Sequence, residues 1–136
     1  MGTFTAGQQL TAASLNSNPV EATEDSGLVA ATGFSVNSFS GRQVGKFVTV
    51  VVNLERTGST IAQFTTHTGN IPDTSLCTLP SGWRPPETIN AIFGNGFVDG
   101  ECVISTSGVI SLRSVSGADG VRNGGNVQVS ARWITS

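Results

Sequence analysis

Residues able to support acid–base or nucleophilic chemistry are scarce in this chain of 136 residues. His67 is the single histidine, and tyrosine is absent. A Ser-His-Asp arrangement could be assembled only by pairing His67 with one of many serines, and no GxSxG motif orients a nucleophile. Such pairings arise by chance in a serine-rich chain. We therefore predict that the protein is not an enzyme and place His67 at the exposed end of a strand.

Carboxylates and glycines are poorly spaced for a metal or sugar-cleaving site. Asp99 and Glu101 flank Gly100, whereas glycoside hydrolysis needs two carboxyl groups about 5–10 Å apart across a cleft. In a strand these two would share a face, but we expect a turn that carries solvated charge. Residues 119–126 only faintly resemble a calcium loop and favour a polar hairpin turn instead. The sequence therefore predicts neither a bound metal nor a cofactor.

The two cysteines, Cys77 and Cys102, are too few for a disulfide framework. They lack CxxC spacing, which argues against zinc binding and thioredoxin-like redox chemistry. Two interpretations stay open. Both residues are small and buried, as free cysteines usually are, or they form one disulfide.

Composition excludes several further classes of function. Charged residues make up 12% of the chain and the formal net charge is -2, so there is no basic surface for nucleic acid. No apolar run approaches the roughly 18 residues that cross a bilayer, and we expect neither membrane insertion nor a signal peptide. Neutral polar residues and 17 glycines are abundant instead, which is typical of many short strands joined by tight turns.

Two segments show the alternation of a β-strand most clearly. Residues 46–54 place aliphatic side chains on one face and a mixed set on the other, which predicts a central strand. The second face carries Phe47 and Val51, and the strand should be buried on at least one side. Residues 127–133 alternate apolar and polar side chains, as an antiparallel strand with one wet face does.

Turn residues divide the rest of the chain into further short strands. Residues 102–105 and 109–113 flank Thr106-Ser107-Gly108, which predicts a hairpin with a positive φ angle at Gly108. Strands are also expected at residues 27–35, 59–66 and 89–97, separated by turns at Arg56-Thr57-Gly58, Ile71-Pro72-Asp73 and Asp99-Gly100. Seven or eight strands at intervals of about ten residues predict an all-β fold, an antiparallel β-sandwich or jelly roll.

Three prolines between residues 78 and 86 exclude a central strand there, because proline donates no hydrogen bond to a neighbouring strand. We predict an extended crossing loop that Leu79 and Trp83 dock over one end of the core. Trp83 is also the aromatic residue that we single out for stacking on a sugar. Most other aromatic residues lie in predicted strands, where core packing is expected.

Residues 1–26 differ from the remainder of the chain. Residues 11–16 could form one helical turn, which Asn18-Pro19 would end. The segment has almost no bulky apolar residues and cannot fold alone, so it is either a loose tail or an arm that becomes ordered against a partner. We therefore divide the chain into an extended N-terminal arm, residues 1–26, and a β-sandwich domain, residues 27–136.

Four stretches resemble proteins of tailed bacteriophage particles. Residues 4–16 fit the pattern F-x-A-G-x-x-L-T-A-x-x-L-N, with which tail-fibre and minor structural proteins begin, especially those of actinobacterial phages. Residues 56–58, 79–85 and 103–110 are similar to the RxG, LPxGxRP and V-I-x-x-x-G-x-I signatures of β-rich modules in such proteins. The resemblance covers the arm and most of the body.

This resemblance implies a virion structural protein: a homotrimeric β-sandwich on the virion surface, synthesised in the bacterial host cytoplasm and without catalytic residues. It implies attachment through the arm to other virion proteins, either the major capsid protein or tail proteins. The expected anchoring residues are Phe4, Leu10, Leu15 and Asn16. The chain has no fibre shaft, which favours a head-decoration or tail-tip module and leaves head or tail location open. Phe47 and Val51 would then meet a neighbouring subunit; the alternative is that a second sheet covers them.

Glycan binding is the alternative function. A receptor-binding module of a phage tail fibre would recognise a host surface glycan through exposed loops. The candidate contact residues are Trp83, Arg84, Asn123 and Asn126.

Overall fold

The computed structural model describes residues 21–65 and 68–135, and all regular elements in these ranges are strands. The nine strands, in chain order, are β1 (Glu21–Glu24), β2 (Val29–Ala30), β3 (Phe34–Val44), β4 (Phe47–Arg56), β5 (Asn70–Thr78), β6 (Ile89–Gly94), β7 (Asp99–Ile104), β8 (Val109–Ser114) and β9 (Asn126–Ile134). Their pairings are all antiparallel. The predicted all-β class is confirmed.

The strands form one sheet in the order β1-β3-β4-β9-β6-β7-β8-β5-β2. Its two halves meet at a short junction, where β6 and β9 share only the pairs Phe93↔Val129 and Gly94↔Gln128. Buried side chains from β3, β4 and β9 join those from β5, β7 and β8 in a single core. The sheet therefore curls so that one face of each half closes over the same apolar interior.

The strands β4 and β9 supply the most regular part of this core. Val48, Val50, Val52 and Leu54 are fully buried, and the inward residues of β9 lie against them. The central strand and the C-terminal strand predicted from alternation are confirmed. The predicted hairpin is also confirmed, because β7 and β8 flank a turn in which Gly108 has a φ of 85°.

The prediction was wrong for β3, which extends over eleven residues where only its first two were expected to be in a strand. Its sequence is mostly polar, and the pairing with β4 shifts register between Val36 and Ser38. This bulge breaks the alternation on which the prediction depended. The predicted strand over residues 27–35 reduces to the two residues of β2 and the start of β3.

The prediction was also wrong around Pro72, which lies inside β5 and not in a separating turn. Pairing with β8 is irregular between Asn70 and Thr74, so the missing N–H of proline breaks no regular ladder. Residues 59–65, expected to form a strand, contribute only an isolated bridge between Ile61 and Val121. Residue 66 lies outside the described residues.

The N-terminal boundary of the sheet precedes residue 27. Glu21–Glu24 form the edge strand β1, which pairs with β3 from Glu21↔Val44 to Glu24↔Gly41. The last residues of the predicted arm thus belong to the sheet. The predicted helical turn lies outside the described residues, as do Phe4, Leu10, Leu15 and Asn16.

The proline-rich loop crosses the core as predicted. Leu79 is fully buried and Trp83 is 7% exposed, so both dock the loop. The backbone N–H of Leu79 donates to the carbonyl of Gly108 at 2.9 Å, which ties the loop to the β7–β8 turn. The ring of Trp83 lies over Gly41, where a Cβ atom would approach ring atom Cε3 to 2.8 Å.

Both cysteines are free and buried, which confirms the first of the two interpretations. Burial raises the pKa of Cys77 and that of Cys102 to about 12, from an ordinary value of 9.0. The neutral thiol is the form that the core accommodates. These two residues act as small apolar groups at neutral pH.

The thiols give a first prediction. In the native protein at pH 8, Cys77 and Cys102 should not react with an aromatic disulfide reagent, and both should react after unfolding in guanidinium. Below about pH 9 the thiols are neutral in both states, whereas above it they ionise first in the unfolded chain. Stability should therefore fall as pH rises from 9 towards 12. Rapid labelling of the native protein would contradict this account.

A glycine pair gives a second prediction. A Cβ atom at Gly100 would overlap the Ser114 carbonyl oxygen and lie 2.6 Å from Phe93 Cε1, whereas at Gly94 the nearest atom is 3.8 Å away. Gly100→Ala should lower the free energy of unfolding by about 3 kcal/mol. The control Gly94→Ala should change it by less than about 1 kcal/mol. Urea denaturation measures both, and equal costs would refute the predicted overlap.

Candidate functional site

The outward face of β3, β4 and β9, extended by Ile92 of β6, carries exposed apolar side chains in rows. We call it the outer face. At one end Val44, Phe47 and Ile134 lie directly opposite one another on three adjacent strands. They are 40%, 47% and 67% exposed, respectively. Side chains paired in this way contact each other, so the row forms a continuous apolar strip across the sheet.

A second apolar position lies near the middle of the outer face. Val51 is 43% exposed and pairs with Ser40 on one side and Ser130 on the other. Ile92 is 65% exposed and borders the same shallow depression of about 360 Å³ as Val51 and Ser130. Short hydroxyl side chains thus leave the aliphatic groups accessible.

Charge on the outer face is confined to a few positions. Arg42 and Arg132 flank Thr49 in the row between Phe47 and Val51. Arg42 forms an exposed ion pair with Glu21 at 3.9 Å, which is too solvated to add much stability. The face therefore combines one apolar strip and the isolated Val51 with a row of two arginines, one of which is paired with Glu21, and with Glu55 at the far end.

The structure places both predicted interface residues, Phe47 and Val51, on the outer face, four residues apart along β4. Both point outward from β4, and among the described residues no second sheet covers them. Their exposure is a consequence of register, because their neighbours Val48 and Val50 occupy the core.

A separate pocket lies where the β6–β7 turn meets the loop between β8 and β9. We call it the loop cleft. It has a volume of about 220 Å³, and its main lining residues are Asn95, Phe97, Asp119, Gly120, Arg122 and Asn126.

An exposed aromatic ring dominates the loop cleft. Phe97 is 78% exposed, and the guanidinium carbon of Arg122 lies 5.4 Å from its ring centroid. Arg122 also forms an ion pair with Asp119. A cation over an aromatic face is attracted by the ring quadrupole, so Arg122 links the ring to the acidic side of the cleft.

The predicted glycan-contact residues are dispersed. Asn126 lines the loop cleft, where its Oδ1 accepts a 3.1 Å hydrogen bond from Asn37. Asn123 instead holds two loops together, because its Nδ2 donates to the carbonyls of Thr57 and Gly58 at 3.1 and 2.8 Å. Its amide is thus engaged by the backbone.

Trp83 and Arg84 do not line the loop cleft. Trp83 is 7% exposed, which leaves its ring little surface for a sugar and argues against the stacking role. The Nε of Arg84 donates to the carbonyl of Leu79 at 3.0 Å, and the side chain lies against Gly108. Both residues fix the crossing loop.

Phe97 was missed because the sequence placed it at the end of a predicted strand. The strand β6 ends at Gly94, and a turn through Asn95 and Gly96 follows. The Asn-Gly pair directly before Phe97 is the signal that could have identified a turn.

The other candidates that the structure describes do not come together in a reactive site. Asp99 and Glu101 lie in β7, not in the expected turn, and Glu101 accepts a 3.2 Å hydrogen bond from Asn90 Nδ2. His67 lies outside the described residues. Within residues 21–65 and 68–135, no three His, Cys, Asp or Glu side chains come together in a way that could hold a metal.

Comparison with known proteins adds no further assignment. No protein-family model and no curated protein matches this chain. In the part that the structure describes, no helix has the length and apolarity needed to cross a membrane. The outer face and the loop cleft are therefore the two features from which we infer function.

Proposed function

We propose that this chain is a structural protein of the phage virion: a compact, homotrimeric surface module attached by its N-terminal arm. The observation that carries the proposal is the outer face, where Val44, Phe47 and Ile134 form an apolar strip on a regular sheet. The sequence resemblance to phage particle proteins supports it. A position on the capsid and one at the tail tip both fit this role.

Burial of the outer face against a second copy would be favourable, because it removes from water apolar side chains that stay exposed in a monomer. Full burial of a large apolar side chain contributes about 1.5–3 kcal/mol, and these side chains are about half covered already. Burial of the remaining surface of Phe47, Val51 and Ile134 would then contribute about 2–4 kcal/mol per copy, and the rest of the interface must supply the remaining free energy that association costs. The low charge of the chain, 12% of residues, limits the repulsion between copies.

The finer architecture that we propose is a β-sandwich of the jelly-roll kind. One layer would comprise β1, β3, β4 and β9, and the other β6, β7, β8, β5 and β2. The short β6–β9 junction and the common core support this division. In such an arrangement the outer face is the free side of the first layer.

The proposed anchor is the arm, with Phe4, Leu10, Leu15 and Asn16 as contacts to capsid or tail proteins. It leads into β1, whose first residue, Glu21, pairs with Val44 of the outer face. Attachment and self-association would thus use the same end of the sheet. We propose a non-catalytic role at the virion surface after synthesis in the host cytoplasm.

Glycan binding is the second candidate function, as the receptor-binding module of a tail fibre. The loop cleft favours it, because Phe97 is 78% exposed beside the charged pair of Arg122 and Asp119.

The outer face gives a third prediction. The double variant Phe47→Lys, Val51→Lys should weaken self-association by at least about tenfold, equal to about 1.4 kcal/mol, because it places two charges within the apolar contact. Sedimentation velocity measures the effect. The matched control is Phe64→Lys, which changes a phenylalanine that is 67% exposed and lies outside the outer face. Equal behaviour of both variants would contradict the proposed interface.

The arm gives a fourth prediction. A chain that lacks residues 1–20 retains β1 and should fold and self-associate, yet it should no longer join particles that are deficient in this protein. Incorporation is measured by mixing purified protein with such particles and quantifying the bound fraction, with the full chain as control. Unimpaired incorporation of the shortened chain would refute the anchoring role.

A further inference from the structure

We propose that the loop cleft binds one neutral pyranose ring, the terminal sugar of a host glycan. This inference deepens the glycan-binding function above and does not depend on trimer formation. It replaces the predicted contacts Trp83, Arg84 and Asn123 with Phe97, Asp119 and Asn126.

The turn that presents Phe97 is fixed. The Oδ1 atom of Asn95 accepts hydrogen bonds from the backbone N–H groups of Phe97 and Val98 at 2.8 and 2.7 Å. The Asn95 N–H donates to the Val98 carbonyl at 3.2 Å, and Gly96 has a φ of 83°. Val98 is half-buried and packs against the core. This contact fixes the turn, so that the ring of Phe97 points into solvent.

The opposite wall of the cleft is equally constrained. Ile61 and Val121 exchange two backbone hydrogen bonds of 2.9 Å, which pin the wall to the core. Gly120 has a φ of 70°, and a Cβ atom there would overlap the Ile61 carbonyl. The side chains of Asp119 and Arg122 are therefore presented from a preorganised loop, which lowers the entropic cost of binding.

The chemistry of these groups matches a sugar ring. A pyranose has one face of C–H groups, which packs on an aromatic ring, and a rim of hydroxyls that donate to carboxylates and accept from amides. Phe97 supplies the ring face that Arg122 leaves open, Asp119 supplies its carboxylate oxygen Oδ1, and Asn126 supplies its Nδ2 donor, because its Oδ1 already accepts from Asn37. A cavity of about 220 Å³ suits one ring and not a buried oligosaccharide.

The charge balance favours a neutral sugar over an acidic one. Arg122 is the only cation that lines the cleft, and its guanidinium is already paired with Asp119 and placed over Phe97. A carboxylate on the ligand would have to displace Asp119 from Arg122. An acidic sugar therefore gains little from this site.

The test is a nuclear magnetic resonance titration of the full chain with methyl pyranosides of glucose, galactose and N-acetylglucosamine, and with glucuronic acid as the acidic probe. At least one neutral probe should shift the backbone amides of Phe97, Gly120 and Arg122, with millimolar affinity. Phe97→Ala should weaken binding at least tenfold, and Asp119→Asn should weaken it severalfold. The control Phe64→Ala, which changes another exposed phenylalanine, should bind as the parent does.

The outcomes separate this site from the assembly function. Absence of shifts for all neutral probes at tens of millimolar overturns the sugar site, whatever the mass of the protein in solution. Stronger binding of glucuronic acid than of every neutral probe overturns the assignment of a neutral ligand. A change of solution mass in Phe97→Ala without any sugar binding in the parent assigns Phe97 to a protein contact instead.

Discussion

Nine consecutive residue pairs, from Phe47↔Ile134 to Glu55↔Asn126, hold β4 against β9, and their register decides which side chains enter the core. Because side chains alternate across a strand, a shift of the pairing by one residue would expose Val48 and Val50 to solvent. The same register turns Phe47 and Val51 outward. Core and outer face are thus two consequences of a single pairing.

This constraint explains why the protein combines a well-packed interior with an apolar exterior. Every inward position of β4 from Val48 to Leu54 is fully buried, so no inward position remains for the other apolar residues of the strand. They can be covered only from outside, and β1, β3 and β9 lie beside them in the same sheet. We propose that a second copy of the chain covers them. The loop cleft adjoins the other end of the outer face, because Asn126 pairs with Glu55 of β4 and the turn residue Gly96 borders the depression beside Val51.

The parts of the fold that could be predicted are those in which local pattern and tertiary position agree. Alternation identified β4 and β9, the Gly108 turn identified the β7–β8 hairpin, and prolines identified the crossing loop. The strand β3 was missed because its polar residues and its bulge hide the alternation, and its length depends on pairing with β4. Pro72 was predicted to lie in a turn between two strands, but the irregular pairing of β5 with β8 accommodates it within a strand. Phe97 could not be identified from its type alone, because exposure depends on where β6 ends.

The proposal with the widest consequences is that copies of the same chain cover the outer face. Its most direct test is the solution mass of the unaltered protein, measured by light scattering over a wide range of concentration. The account predicts a species of about three times the 14.0 kDa chain mass, which persists on dilution. A monomer at every concentration, with Phe47 and Val51 accessible to water, would contradict it.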